Sequence, residues 1–241
     1  MSEATRIITF KEEDLYEAAL RYFIRYSGLD LTKPKHRRMM EMAHAARLAG
    51  LKGLSIRAAV SVWDGDCLAG GSLKREGSVL TCPGFSRIPD GVVRRIYAFV
   101  VTAGECLSGQ EDPVTVQLFA HNWGTAYVDV ARDALADIFS EDARRSFPGG
   151  ELQLSAYFGP GFYGMPMTEN QLLCHWLSAG DIGVSTRENG LMLPLKSSSG
   201  LYLATSDLAA MPSGSCEICT GNPGGCAYCI KNRDPRHPSG S

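Results

Sequence analysis

Hydrophobic and polar positions divide the chain into a helical first stretch, a β-rich middle, one long helix and a second set of short strands. Leu15, Ala19, Tyr22 and Tyr26 fall at helical spacing behind Thr9 and Glu12, which read as a T-x-x-E capping box. Gly28 suits the residue just past that helix. A second helix is predicted over 35–49, with a stop at Gly50. Its Lys35-His36-Arg37-Arg38 start is either a solvated face or a docking patch. The pattern then shortens to β-type segments at 56–63, 67–73, 79–82 and 96–102, separated by Asp-Gly, Glu-Gly and Pro-Gly turns.

The longest helix is predicted to start with Asp112 as N-cap and Pro113 at the first turn. It runs to about residue 139, roughly 40 Å at 1.5 Å per residue. Gly124, Thr125 and Ala126 at its middle allow tight helix packing or the close approach of a ligand. His121 and Asn122 fit a packing or surface role more simply than a catalytic one. Residues 152–158 alternate as a strand does, and Gly159-Pro160-Gly161-Phe162-Tyr163-Gly164-Met165-Pro166 follow. So much Gly and Pro can neither continue a strand nor start a helix. It makes either a structural turn or a loop whose backbone is offered to a small ligand. A short helix at 168–177 and strands at 182–185, 190–195 and 200–204 complete the pattern, with no internal repeat.

At 241 residues the chain is long enough for one or two domains at about 150 residues each. Its 24 basic and 26 acidic residues argue against a broad electrostatic grip on nucleic acid. No apolar run approaches the roughly 18 residues needed to span a bilayer, and Met1-Ser2-Glu3-Ala4-Thr5-Arg6 lacks a secretory h-region. A soluble, cytoplasmic protein is expected. No Ser-His-Asp set, catalytic carboxylate pair or phosphate loop is visible.

Of eight cysteines, Cys67, Cys82, Cys106 and Cys174 are scattered and read as small buried hydrophobes. Cys216, Cys219, Cys226 and Cys229 form C-x2-C-x6-C-x2-C in a Gly/Pro-rich tail. In a reducing compartment four such thiols suit zinc or an iron–sulfur cluster, with redox dithiols as the alternative. The spacer is shorter than the roughly 15–20 residues of a zinc ribbon and unlike the ferredoxin run, so the metal's identity stays open.

Two stretches together, Tyr157-Phe158-Gly159-Pro160-Gly161-Phe162-Tyr163-Gly164-Met165-Pro166 and Leu191-Met192-Leu193-Pro194-Leu195-Lys196-Ser197-Ser198-Ser199-Gly200-Leu201-Tyr202, resemble the activation domain of vitamin B12-dependent methionine synthase. The resemblance is to that domain's small stand-alone relatives. Residues 98–104, an apolar strand ending in T-x-G, and the long helix with Gly124-Thr125-Ala126 also fit. The resemblance spans about residues 10–210. It implies an α+β fold, a twisted antiparallel sheet with flanking helices, over 1–210. A Cys-rich metal or iron–sulfur segment at 211–233 and a disordered tail at 234–241 would follow.

In methionine synthase that domain binds S-adenosylmethionine and caps the corrinoid while inactive cob(II)alamin is reduced and remethylated. By resemblance, Gly159, Pro160, Gly161, Tyr163, Gly164 and Met165 would meet the ligand through the loop backbone. Tyr202 would stand near its carboxylate, and Pro194, Ser199 and Gly200 would shape the facing wall. Tyr157 occupies the position of the arginine that pairs with that carboxylate in the full-length synthases. Losing such a charged hydrogen bond costs about 1.5–3 kcal/mol unless Lys196 or Arg187 compensates. Tyr157 also reads simply as a core aromatic.

The function this implies is an accessory protein that docks on a corrinoid-bearing methyltransferase partner and supports reductive remethylation. The chain has no D-x-H-x-x-G motif, so the cobalamin would come with the partner. An iron–sulfur cluster at the four cysteines could supply a low-potential electron, which zinc cannot. The alternatives are an S-adenosylmethionine-using subunit of a B12-dependent methyltransferase and a non-enzymatic, zinc-stapled binding module. No nucleic-acid or membrane partner is expected.

Overall fold

Two long strands organise the molecule, and both read as nearly unbroken apolar runs because each face of their sheet is covered. The structure, a computed structural model, describes residues 4–105, 112–146 and 151–212. In chain order the elements are β1 (Arg6–Thr9), α1 (Glu12–Tyr26), α2 (Pro34–Gly50), β2 (Leu54–Asp64), β3 (Leu68–Ala69), β4 (Ser72–Arg75), β5 (Ser78–Leu80), β6 (Val93–Gly104), α3 (Val114–Ser146), β7 (Gln153–Leu154), α4 (Asn170–Trp176), β8 (Ser185–Thr186), β9 (Met192–Leu193) and β10 (Ser197–Thr205). The main sheet has the order β1-β2-β6-β10-β7 and is antiparallel throughout. β3-β4-β5 form a small second sheet and β8 pairs with β9. This is the expected α+β class, an antiparallel sheet flanked by helices.

Alternate residues of β2, β6 and β10 feed two separate cores. On one face α1, α2 and α3 cover the sheet, with Phe23, Trp123, Tyr97 and Phe139 among the buried side chains. On the other, the small sheet, the glycine-rich loop and α4 bury Trp63, Phe85, Phe158 and Leu173. Ring pairs such as Phe23–Trp123 at 4.2 Å and Tyr97–Phe139 at 4.9 Å tie the helices together and to the sheet.

Local chemistry explains where the elements depart from the sequence pattern. Thr9 does not cap α1; it pairs with Arg57 in the β1–β2 ladder, and Lys11 stands at the cap without a side-chain bond. Glu12 instead joins Arg47 of α2 and the Tyr127 hydroxyl of α3, so it links three helices. Gly28, at φ +62°, ends α1 as expected: Leu29 N–H reaches Ile24 O and Gly28 N–H reaches Arg25 O. The predicted strand over 67–73 is broken by Gly70 and Gly71, both at positive φ, which turn β3 into β4. α3 continues past residue 139 to Ser146, about 50 Å in all.

The predicted strand over 152–158 pairs as a ladder only at β7. Ser155 then interrupts it: its N–H bonds Leu203 O at 2.8 Å, and its hydroxyl accepts from Leu203 N–H at 3.1 Å. The side chain thus does the work of a backbone carbonyl, and pairing resumes at Phe158 opposite Leu201. No helix among the described residues is long and apolar enough to cross a membrane. Cys106, Cys216, Cys219, Cys226 and Cys229, with the segments predicted at 211–233 and 234–241 save Met211 and Pro212, lie outside the described residues.

Candidate functional site

The two stretches singled out in the sequence meet at one point. Phe158 N–H donates to Leu201 O at 2.9 Å and Leu201 N–H to Phe158 O at 2.7 Å. This exchange anchors the start of the glycine-rich loop to the middle of β10. Below the sheet Phe158 is fully buried and stacks on Tyr163 at 4.2 Å. The loop closes on itself through Gly161 N–H to Met165 O, Phe162 N–H to Gly159 O and Met165 N–H to Phe162 O, all at 2.8–2.9 Å. Gly161 at φ +88° and Gly164 at φ +77° make these tight bends possible. Gly161, Phe162 and Gly164 stay exposed, whereas Tyr163 and Met165 are buried in the second core and shape the loop from beneath.

Tyr157 lies on the opposite face, toward α3. Its ring rests on a floor made by two glycines. A Cβ on Gly159 would stand 2.0 Å from its hydroxyl oxygen, and one on Gly200 would stand 2.3 Å from its ring and 2.4 Å from Phe158 O. The hydroxyl donates to Ser199 O at 2.6 Å. Phe162 meets the ring edge-on at 5.3 Å, and Tyr202 lies 6.1 Å away. Burial pushes the Tyr157 phenol above its ordinary value, against the opposing pull of the Ser198 hydroxyl and Arg132.

Arg132 of α3 is the residue that sequence reasoning missed. Its guanidinium carbon sits 5.3 Å from the centre of the Tyr157 ring. Nη1 lies 2.9 Å from Asp129 and Nη2 3.6 Å from Asp133. Burial pulls its pKa down, but Asp129, Tyr202 and Asp133 more than offset this and keep it charged. The two carboxylates are themselves occupied: Tyr22 donates to Asp133 at 2.5 Å and Tyr26 to Asp129. The Tyr22 phenol is raised to about 12, first by its bond to Asp133 and then by burial. Tyr202, buried beside the same guanidinium, is also raised to about 12, chiefly by burial. Asp129, Arg132 and Asp133 together carry one net negative charge. D-x-x-R-D places these groups one turn apart on one side of the helix, and that charged spacing is the signal that could have found them.

The remaining predicted residues are placed as follows. Tyr157, Gly159, Gly200 and Tyr202 pack together, with Pro160, Gly161 and Gly164 on the adjoining loop, and the Tyr157 ring fills the trough that the two glycines would otherwise leave. Ser199 turns to the other face, where its hydroxyl donates to Asn170 at 2.6 Å; only its carbonyl meets Tyr157. Pro194 lines a separate polar cleft with Gly104, His121 and Lys196. Lys196 belongs there too, donating to Thr125 Oγ1 and His121 Nδ1, both at 2.9 Å. Burial and that ammonium hold the His121 pKa below its ordinary value. Arg187 sits in the β8–β9 turn, its N–H bonded to Leu191 O. The cation beside Tyr157 is therefore Arg132, rather than Lys196 or Arg187. Among the described residues no group of three or more His, Cys, Asp or Glu side chains is arranged to hold a metal ion.

No protein-family model matches the chain, and no curated protein matches it. Its fold does resemble a solved structure, the crystal structure of the MetH reactivation domain bound to AdoHcy. The TM-score is 0.55 at 15% sequence identity, over 85% of this chain and 79% of that one. The chain thus shares its fold, remotely, with the MetH reactivation domain.

Proposed function

We propose that this protein is a reactivation-type accessory protein for a corrinoid-dependent methyltransferase system, docking on a corrinoid-bearing partner. One observation carries the reading. The Gly-Pro loop and the Tyr202 strand, predicted from sequence to form one site, are locked side by side through Phe158 and Leu201 in a fold shared with a reactivation domain. The partner brings the corrinoid, and the exposed lip of Gly161, Phe162 and Gly164 is the part of the trough that faces it.

The trough's charge bears on the ligand. Arg132 is committed to Asp129 and Asp133, so it offers a ligand carboxylate less than a free guanidinium fork would. The net negative charge favours a cationic group instead. S-adenosylmethionine carries a sulfonium and an ammonium; when bound it supplies a methyl group. The ring faces of Phe162 and Tyr202 and the net negative field of the α3 charges would favour its positive end. Tyr157 must tilt off its glycine floor to admit such a ligand, giving up its bond to Ser199 O.

Cys216, Cys219, Cys226 and Cys229 are proposed to hold zinc or an iron–sulfur cluster, the latter serving as electron donor. Metal analysis and a visible spectrum of anaerobically purified protein separate the two: zinc without iron removes the electron-delivery role. The reading as a whole is tested by capture from cobalamin-grown cells. The tagged chain should retain a protein whose visible spectrum is that of a corrinoid, and Phe162→Asp should abolish retention. Retention of no corrinoid-bearing protein contradicts the reading.

A further inference from the structure

At the end of the main sheet where β6 finishes, a second cleft of about 400 Å³ is lined by Ser55, Arg57, Gly183, Ser185, Glu105 and Pro194, among others. Arg57 projects from β2 into this region. Its Nη2 donates to Ile182 O at 3.0 Å, and its Nε is buried with no partner. Among the described residues this carbonyl is the one group the guanidinium bonds. That is unusual for a half-buried arginine, which carries five donors and a fixed charge and is ordinarily met by a carboxylate or several oxygens. Ser55 and Ser185 share the cleft wall with it.

We infer that this cleft is a binding site for a small oxyanion, a phosphate or carboxylate group, held by the charge and remaining N–H groups of the Arg57 guanidinium with Ser55 and Ser185. The fixed positive charge attracts such a group, and serine hydroxyls can satisfy its remaining lone pairs. Backbone closeness favours the arrangement. Gly104 packs so tightly on the β2 entry that a Cβ there would lie 2.8 Å from Gly53 O and 2.9 Å from Ser55 N, which fixes the Ser55 wall against β6. Glu105, also on the lining, disfavours a polyphosphate and restricts the site to a single anionic group. The site is separate from the Tyr157 trough and does not depend on the proposal made for it.

Calorimetric titration of the full chain with inorganic phosphate, and separately with acetate, at ionic strength fixed with sodium chloride tests the assignment. Saturable binding of at least one anion is expected, and the preferred anion identifies the group as phosphate or carboxylate. Arg57→Gln should weaken it by about tenfold or more, the loss of a charged hydrogen-bond pair. Ser185→Ala, at an exposed position, should weaken it a few-fold without moving the melting temperature, and it serves if Arg57→Gln does not fold. Failure of both anions to saturate overturns the assignment. So does wild-type affinity in Arg57→Gln, or in Ser55→Ala with Ser185→Ala if that variant does not fold.

Discussion

Arg132 and Arg57 are both half-buried guanidinium groups beside sequence-marked loops, yet they stand in opposite chemical states. Arg132 lies between two carboxylates and against two phenols, and each carboxylate is also held by a tyrosine. Arg57 makes a single bond to a carbonyl and leaves a buried N–H unmatched. The first is a fixture: it sets the charge of a trough and orients its rings. The second is a fixed charge met by one carbonyl. Sequence alone does not separate them, since what matters is which carboxylates the fold brings into bonding distance: two from one helix in the first case, while in the second Glu105 lines the same cleft without an ion pair to Arg57 among the described residues.

The largest effect is expected where the trough is anchored. Phe158→Ala removes a fully buried ring stacked on Tyr163 and should cost about 3–5 kcal/mol in chemical denaturation. Ser185 on the rim of the cleft is exposed and packs no such ring, so Ser185→Ala should stay within about 0.5 kcal/mol. A loss at Ser185 comparable to that at Phe158 would erase the distinction between a packed trough and an open cleft.

Alkaline titration sharpens the contrast. Tyr202 and Tyr22 are raised to about 12 in the folded protein, as is the Cys174 thiol, and Cys82 is raised to about 11. A folded-state pKa above the unfolded one means that the folded protein holds its proton longer. The associated stability is therefore complete below the unfolded values near 9–10 and is lost as pH climbs through 11 to 12. For Tyr202 alone the loss is about 2–3 kcal/mol. Urea midpoints at pH 8, 10 and 11.5 should fall across both intervals, the thiols contributing from about pH 9 upward, and most steeply across the last; a flat profile contradicts the burial and pairing of these groups.

Arg132→Met should destabilise the fold by about 2 kcal/mol, less than a fully buried pair because the site is partly open to water. Since Arg132 lowers the Tyr202 and Tyr157 phenols, its removal should drive both higher still, seen as a delayed tyrosinate absorbance. Unchanged tyrosine titration would mean that the guanidinium does not sit over these rings.

Much of the architecture was legible because it rests on long periodic elements. β2, β6, β10 and α1–α3 fall close to where apolar spacing puts them, for burial on both sheet faces leaves polar residues few positions to occupy. What escaped was local or distant. Thr9 was claimed by strand pairing, a tertiary contact that overrode its capping signature. Gly70 and Gly71 look like strand interior until their positive φ turns the chain. Ser155 breaks a predicted strand by a side-chain bond that no periodicity reveals. In the site, the loop and Tyr202 were marked by motif, while Arg132, twenty-five residues before Tyr157 on another element, was not. Its role exists only once α3 lies across β10.

The central claim is that the trough under Tyr157 takes a positively charged adenosyl ligand. Calorimetry of the full chain with S-adenosylmethionine and S-adenosylhomocysteine in the same buffer tests it most directly. The account predicts saturable binding of both, with the sulfonium compound tighter because of the net negative charge of Asp129, Arg132 and Asp133. No heat from either at millimolar concentration, or tighter binding of the neutral thioether, would contradict it.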